Sequence, residues 1–598
     1  MSATAMDAEA YAHAQNATHD QAPNPRLRKA FIITAFVTFT VLLHVTFPNL
    51  GGTGLRMPHN AAVWMGFGVM MAIAMWPASR GVIRFSAFHK GLGLLLLALW
   101  LPFLWSWNEA SLIALPRMLT VTAGAILLLG IAQLQLTRRD WWWIGMAILS
   151  GVLLETAFGY VQHFVLQSGN WLGYPVETGR PYGVFQQVNV MASFLATGLV
   201  ISAWLFAEAR SNVQRGITLL APLFIPFLLL TIASRSGFLG TLIAVPLVMG
   251  YLWHQDRARF KQWSGALLAG IVIATALFLL TTEGGGAVAR KLEQGGGERI
   301  PVYLHSLKMI VEEPLTGWGY GRFQHDFLHS FADWRAALPQ NQPEIVDPII
   351  TQTYAHPHNE LLYWGIEGGL LPLLGLVGFG SWVFWRLITN GPAGERLLLA
   401  ALLLPLVIHS MLELPFYHSQ GHWLVLLVLM GMVARKCWQE KEKENRSNFG
   451  VRTGGVLIPA VLIVFMCTHF HTLWQTKRYV ETKGEEYQAL TNVINPFGVG
   501  RTLEFLVMSQ QLGVAAELEM VGMVNDYLAW AEDFSRLKPS PVLYANMIRA
   551  ETRFKIDDSR SLTIIKKSHH LFPYSREIHL AMEKGYQDKS NSAASPSM

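Results

Sequence analysis

Apolar runs of about 17 to 25 residues, the length that carries a helix across a bilayer, recur from Ala30 to Phe470. Only helices can satisfy their backbone groups in such runs once water is gone. By this criterion there are about thirteen, at 30–48, 61–77, 91–107, 118–134, 141–166, 190–207, 217–232, 236–253, 264–281, 360–385, 397–413, 421–434 and 453–470. With 52% hydrophobic and 14% charged residues, the chain is excluded from the class of average soluble domains. The fold expected is all-α, a polytopic transmembrane helix bundle with a large extracytoplasmic loop and a soluble helical domain at the C-terminus.

Charge sets the topology. Alternate connections carry Arg80, Arg84 and Lys90; Arg138 and Arg139; Arg210 and Arg215; Arg257, Arg259 and Lys261; Arg386 and Arg396; and Arg435 and Lys436. Positive loops stay in the cytoplasm, so these connections and the N-terminus are expected there. The net charge of +6 is spread over these short loops, which argues against a nucleic-acid partner. The first 25 residues are too long and too weakly basic for a cleaved leader, so the first span is expected to be a retained anchor. Two cysteines, Cys437 and Cys467, build neither a disulfide framework nor a cysteine metal site.

The domains expected are a disordered cytoplasmic tail at 1–29, a membrane domain at 30–470 with its outer loop at 282–357, a helical domain at 471–586 and a disordered tail at 587–598. The outer loop opens on glycine tracts at Gly284 to Gly286 and Gly295 to Gly297, then reads as a helix from Ile300 to Glu312, ended by Pro314 and Gly317. It is too long for a passive connector and suits a lid or binding loop. After Phe470, helical periodicity runs at Ala516 to Phe534 and Val542 to Phe554. Pro541 and Pro573 lie 573 − 541 = 32 residues apart, close to the roughly 34-residue period of tetratricopeptide-like (TPR-like) helical repeats, although an ordinary helical bundle fits equally.

Five polar clusters fall on the outer side. Arg180-Pro-Tyr-Gly183-Val-Phe185-Gln-Gln187-Val-Asn189 sets a cation and two amides where a loop meets a span, groups suited to an anionic or sugar ligand or, more plainly, to holding the turn. Ser234-Arg235-Ser236 puts an arginine in a tight turn between apolar spans, where snorkelling competes with a ligand or ion-pair role. Arg299 and Tyr303 precede the glycine-rich turn Gly317 to Gly321, which allows close backbone approach or is plain turn chemistry. His356-Pro-His358-Asn359-Glu360 opens a span; Asn359 or His358 can cap it, and a neutral imidazole there is a candidate general base. A metal site with His325, His409 or His418 is the rival reading, but His-x-His lacks a carboxylate at ligand spacing. His409-Ser-Met-Leu-Glu413-Leu-Pro415-Phe-Tyr417-His418 ends a span with an acid that needs a partner, Arg235 or Arg299.

Together these segments, from about Gly151 to Arg435, resemble the O-antigen ligase superfamily, and more closely its branch of bacterial O-linked protein glycosyltransferases of the pilin type. The carriers are Arg180 to Asn189, Ser234-Arg235-Ser236, Arg299 through Gly321, His356-x-His358-Asn359-x-x-Leu362 and His409-Ser-x-x-Glu413-x-Pro415. Val188 stands where some relatives have arginine. The resemblance implies an inner-membrane enzyme with its site and C-terminal domain in the periplasm. It implies an undecaprenyl-pyrophosphate-linked glycan as donor, pilin or another secreted protein as acceptor, and no nucleotide sugar, metal or other cofactor. It implies catalytic roles for His358, Arg180, Arg235 and Arg299. Gln187, Asn189, Tyr303, His356, Asn359, Glu413 and Tyr417 are the expected substrate-binding residues. Ligation to lipopolysaccharide core, or polymerisation of a lipid-linked polysaccharide, would use almost the same residues. A transporter would instead place ionisable groups near mid-bilayer in repeated halves.

The alternation makes a direct prediction: a reporter active only outside the cytoplasm, fused after Phe470, is expected to be active. A silent fusion would reverse the sidedness of every cluster at once.

Overall fold

The computed structural model describes residues 24–281, 299–337, 354–445, 448–554 and 556–583. The glycine tracts at 284–286 and 295–297, the tail at 587–598 and most of the tail at 1–29 lie outside the described residues. The protein is a multi-pass helical membrane protein. Its first nine long helices are α1 (Pro25–Thr40), α2 (Pro58–Met75), α3 (Ala87–Trp100), α4 (Ser111–Leu134), α5 (Arg138–Phe164), α6 (Val188–Glu208), α7 (Asn212–Ile232), α8 (Arg235–Gln255) and α9 (Arg257–Thr281). The loop expected on the outer side contributes α10 (Arg299–Glu312) and α11 (Phe323–Ala336), followed by α12 (Glu360–Gly368), α13 (Leu370–Asn390), α14 (Arg396–Ser410), α15 (Gln420–Cys437) and α16 (Asn448–Glu481).

Among the described residues, 11 helices are long and apolar enough to cross a membrane. The other two expected spans are α14, only 15 residues long, and α15, whose last turn holds Arg435 and Lys436. The helix expected from Ile300 to Glu312 is α10. The fold is all-α as expected, with one short antiparallel pair, β1 (Val82–Phe85) with β2 (Lys441–Glu444), beside the helices. Gln133 holds it by accepting from the Arg84 amide and donating to the Arg84 carbonyl, each at 2.7 Å. Helix α6 is the hub, buried almost throughout its length.

The single span expected at 360–385 is two helices, broken at Gly369, whose φ of +77° and ψ of −163° suit glycine alone. The break frees backbone groups, and the glycine-rich turn before α11 takes them up. Trp318 and Gly319 amides donate to the Ile366 and Glu367 carbonyls at 2.8 and 3.0 Å, and the Leu370 amide donates to Pro314 at 2.7 Å. Close approach therefore explains Gly317: a Cβ there would sit 2.5 Å from the Glu367 carbonyl oxygen. Glu367 also pairs with Arg117 from α4, whose guanidinium lies over the rings of Tyr363 and Trp364 at 4.5 and 4.2 Å. These contacts fix α12, which carries His358 and Asn359 at its start.

Beyond the membrane domain α16 runs through Phe470 to Glu481 and is followed by α17 (Gly500–Glu517), α18 (Val521–Ser535), α19 (Pro541–Phe554) and α20 (Asp558–Leu571). The helix expected over Ala516 to Phe534 is interrupted at 518–520, where Glu519 takes a φ of +54°. Tyr527, Leu528, Leu543, Tyr544 and Ile548 form the core between these helices, and Ala332 of α11 packs into it. His570 meets Asp333 at 2.9 Å, so the outer loop and the C-terminal helices are joined.

Gly317→Ala is expected to destabilise the protein by about 1–3 kcal/mol from its positive φ alone, with more from the clash. Gly513→Ala, mid-helix with open space around it, is expected to stabilise by about 0.5–1 kcal/mol. Thermal midpoints in detergent check both.

Candidate active site

Glu413 lies three residues past the end of α14, not within a span, and is buried at 4% exposure. Of the two partners expected for its carboxylate, the structure selects Arg299, whose guanidinium pairs with Oε1. Arg235 is exposed at the start of α8 and makes no hydrogen bond or ion pair among the described residues. The second oxygen, Oε2, meets His358 Nδ1 at 2.6 Å, and Asn189 Nδ2 donates to Oε1 at 3.3 Å. Burial disfavours the charged carboxyl, but the hydrogen bond from His358 and the charges of His358 and Arg299 outweigh it and hold Glu413 down at about 2.

His358 takes a φ of +55°, uncommon for a residue with a side chain. Gln186 and Ala233, at +53° and +49°, repeat this in the two neighbouring loops of the site. Strained backbone persists where the surroundings over-determine it. At His358 the Tyr303 hydroxyl does this, donating to the His358 carbonyl at 3.0 Å. Asn359 caps α12, accepting from the Leu362 amide at 3.0 Å, while its Nδ2 donates to the Met411 carbonyl at 2.9 Å. His356 Nδ1 accepts from the His358 amide at 3.3 Å, and burial pulls its ring down to about 3, so it stays neutral. When the His358 ring is neutral with Nδ1 donating to Glu413, Nε2 is the lone-pair nitrogen, and Nε2 has no hydrogen-bond partner among the described residues.

The Arg180 loop reaches the same place. Arg180 Nε donates to the Ile232 carbonyl at 2.8 Å, which sets its guanidinium beside the Ser234-Arg235-Ser236 turn, and its Nη2 is buried without a hydrogen-bond partner. Gln187 caps α6, accepting from the Asn189 amide at 3.1 Å. Asn189 links the two loops, since Ser234 Oγ donates to its Oδ1 at 2.7 Å while its amide reaches Glu413. Tyr417 lies apart from the carboxylate, with its ring 5.8 Å from Tyr363 beside Arg117. Among the described residues no three metal-ligating side chains come together to hold an ion. His325 instead pairs with Asp326 at 2.7 Å, and His409 with Ser193 at 2.7 Å.

Several supports were missed in the sequence. Gln162 accepts from the Tyr182 and Gly183 amides at 3.0 and 2.9 Å, and Glu155 accepts from Val184 at 3.2 Å while meeting His44 at 3.2 Å. Gly183 is required here, because a Cβ would fall 1.9 Å from the Glu155 carboxylate. Asn60 ties the His418 carbonyl to the Gln420 amide, each at 2.8 Å. The available signal was an ionisable residue inside an apolar run, which marks Glu155 and Arg117 alike.

A carboxyl held below its ordinary value of 4.5 stabilises the folded state fully above that value and loses the contribution as pH falls toward about 2. Glu413→Gln is therefore expected to cost about 1–3 kcal/mol at every pH above roughly 5, a gap that narrows as the pH drops below 4. Thermal midpoints of both proteins across that range test it.

Three family models match the chain: Protein glycosylation ligase over residues 181–206, O-Antigen ligase over 217–377, and Virulence factor membrane-bound polymerase, C-terminal, over 397–580. The chain is also 24% identical, over 269 residues, to a General O-oligosaccharyltransferase of Acinetobacter baylyi. That match covers 42% of this chain and 44% of the relative. The first two matched segments contain the turn at Arg235, the Asn189 bridge and the His358 loop, so this multi-pass membrane protein is similar to the O-antigen ligases over residues 217–377 and to the protein glycosylation ligases over residues 181–206.

Proposed function

We propose that the protein transfers an oligosaccharide from an undecaprenyl-pyrophosphate carrier to Ser or Thr hydroxyls of extracytoplasmic proteins, pilin among them, at the periplasmic face of the bacterial inner membrane. The observation that carries this reading is the His358–Glu413 pair. A carboxylate on Nδ1 fixes the tautomer and stabilises the imidazolium that forms when Nε2 accepts a proton. As the acceptor O–H gives its proton to His358 Nε2, the oxygen bonds to the anomeric carbon. The bond from that carbon to phosphate oxygen breaks, and its electron pair leaves with the lipid pyrophosphate. Arg235 and Arg180, which is tied to the Ile232 carbonyl beside the Arg235 turn, meet the leaving charge as planar two-pronged donors. Arg299 holds Glu413, and Tyr303 and Asn359 hold the His358 backbone. The similarity to a General O-oligosaccharyltransferase supports oligosaccharide transfer to oxygen, and the match of residues 181–206 to a protein glycosylation ligase model supports a protein acceptor.

A second reading, polymerisation of a lipid-linked polysaccharide, draws on the match of residues 397–580 to a membrane-bound polymerase model. It shares this chemistry and differs in the acceptor. Membranes supplied with lipid-linked glycan and either pilin or a second lipid-linked glycan separate the two: label on pilin supports the first reading, and lengthened lipid-linked chains alone support the second.

His358→Ala is expected to lower transfer by about 10² to 10⁴ with normal insertion, and His356→Ala by less. Near-normal transfer by His358→Ala would place the base elsewhere. Arg235→Lys is expected to be nearly as damaging as Arg235→Ala, because one ammonium cannot reproduce a bidentate contact.

A further inference from the structure

Helix α10 has an apolar stripe that no other described residue covers. On a helix of about 3.6 residues per turn, positions 300, 304, 307 and 311 fall on one line. Ile300, Leu304, Leu307 and Val311 occupy them and are each at least 50% exposed. The opposite face, with Val302, His305 and Met309, is buried against Phe327 and Phe331 of α11 or in the same apolar cluster. One flank carries the exposed pair Lys308 and Glu312, 3.4 Å apart, and the other carries Arg299 and Tyr303 of the site.

The end of the stripe is tied to the end of a membrane span. Just beyond α10, Leu315 is exposed, and the next residue's carbonyl, Thr316, accepts from Trp105 Nε1 at 3.1 Å. Trp105 belongs to the outer end of the membrane span Ala87–Ser106, where Leu104 and Trp107 are also exposed. Tryptophans at the end of a span mark the level of the headgroups. An apolar stripe tied at its end to the tryptophan of a membrane span, with one charged flank, fits the boundary between acyl chains and headgroups.

We infer that α10 lies in the membrane interface, its Ile300–Val311 stripe seated in the acyl region of the outer leaflet and its Lys308–Glu312 flank in water. The partner is the lipid surface itself. This seat holds Arg299, and through it Glu413 and His358, at the depth where a lipid-borne phosphate sits, which deepens the donor proposed above. The inference rests on the helix's exposure and its tie to the span, so its test reads position and not transfer.

Full-length protein with Cys437→Ala and Cys467→Ser, carrying Leu307→Cys or Lys308→Cys labelled with a nitrobenzoxadiazole probe, is reconstituted in phosphatidylcholine–phosphatidylglycerol vesicles. The probe at 307 is expected to emit to the blue of that at 308 and to lose about half its intensity when acyl-chain spin-labelled lipid is included. The probe at 308 is expected to be quenched by aqueous iodide. Equal iodide quenching at both positions would put the stripe in water and overturn the inference. A blue-shifted probe at 307 that ignores spin-labelled lipid would mean that protein covers the stripe, and would overturn it equally.

Discussion

The site depends on one buried carboxylate. Glu413 sits where water is scarce, and an unpaired charge there would destabilise the fold by several kcal/mol. Arg299, His358 and Asn189 remove that penalty, and in doing so they draw the outer loop, the start of α12 and the start of α6 to one point. These three segments are far apart in the chain. The same atoms that neutralise Glu413 decide which nitrogen of His358 carries its proton, so the electrostatics of folding and the poise of the candidate base are a single arrangement.

Around that point the protein uses irregular backbone where a membrane bundle would ordinarily have regular helix. Helix α12 stops at Gly369 and the glycine-rich turn fills the gap, satisfying carbonyls that would otherwise be orphaned. In the Arg180 loop it is amides that need partners, and Glu155 and Gln162 of α5 accept from them. Three residues with side chains, Gln186, Ala233 and His358, adopt positive φ in these loops. At His358 the hydroxyl of Tyr303 on α10 holds the strained backbone, so that loop is pre-shaped.

The arginines divide their work. Arg299 is committed to Glu413, whereas Arg180 keeps one terminal nitrogen unpartnered and Arg235 is exposed. A cation bound within the protein tunes neighbours, and a cation left open can meet an incoming anion. The sequence offers three equivalent outer arginines; the structure makes one of them part of the scaffold.

Periodicity and charge alone determined the helical class, the run of membrane spans, helix α10 and a cap at Asn359 or His358, because each follows from a pattern local to the chain: an apolar length, a phase of 3.6 residues or a polar side chain before a first turn. The clusters at Arg180, Arg235, Arg299, His358 and Glu413 were visible as polar groups at span ends. Which carboxylate met which cation was not, since Arg235 and Arg299 offered Glu413 the same chemistry and only the packing of α10 against α12 chose between them. The break at Gly369 was hidden for a similar reason: an apolar run reads as continuous helix unless the segment that replaces its lost hydrogen bonds is known, and that segment lies some fifty residues earlier. The tertiary structure alone decided how the supports from Glu155, Gln162, Asn60 and Arg117 act, because a buried polar group declares its partner only when the two helices that share it are brought together.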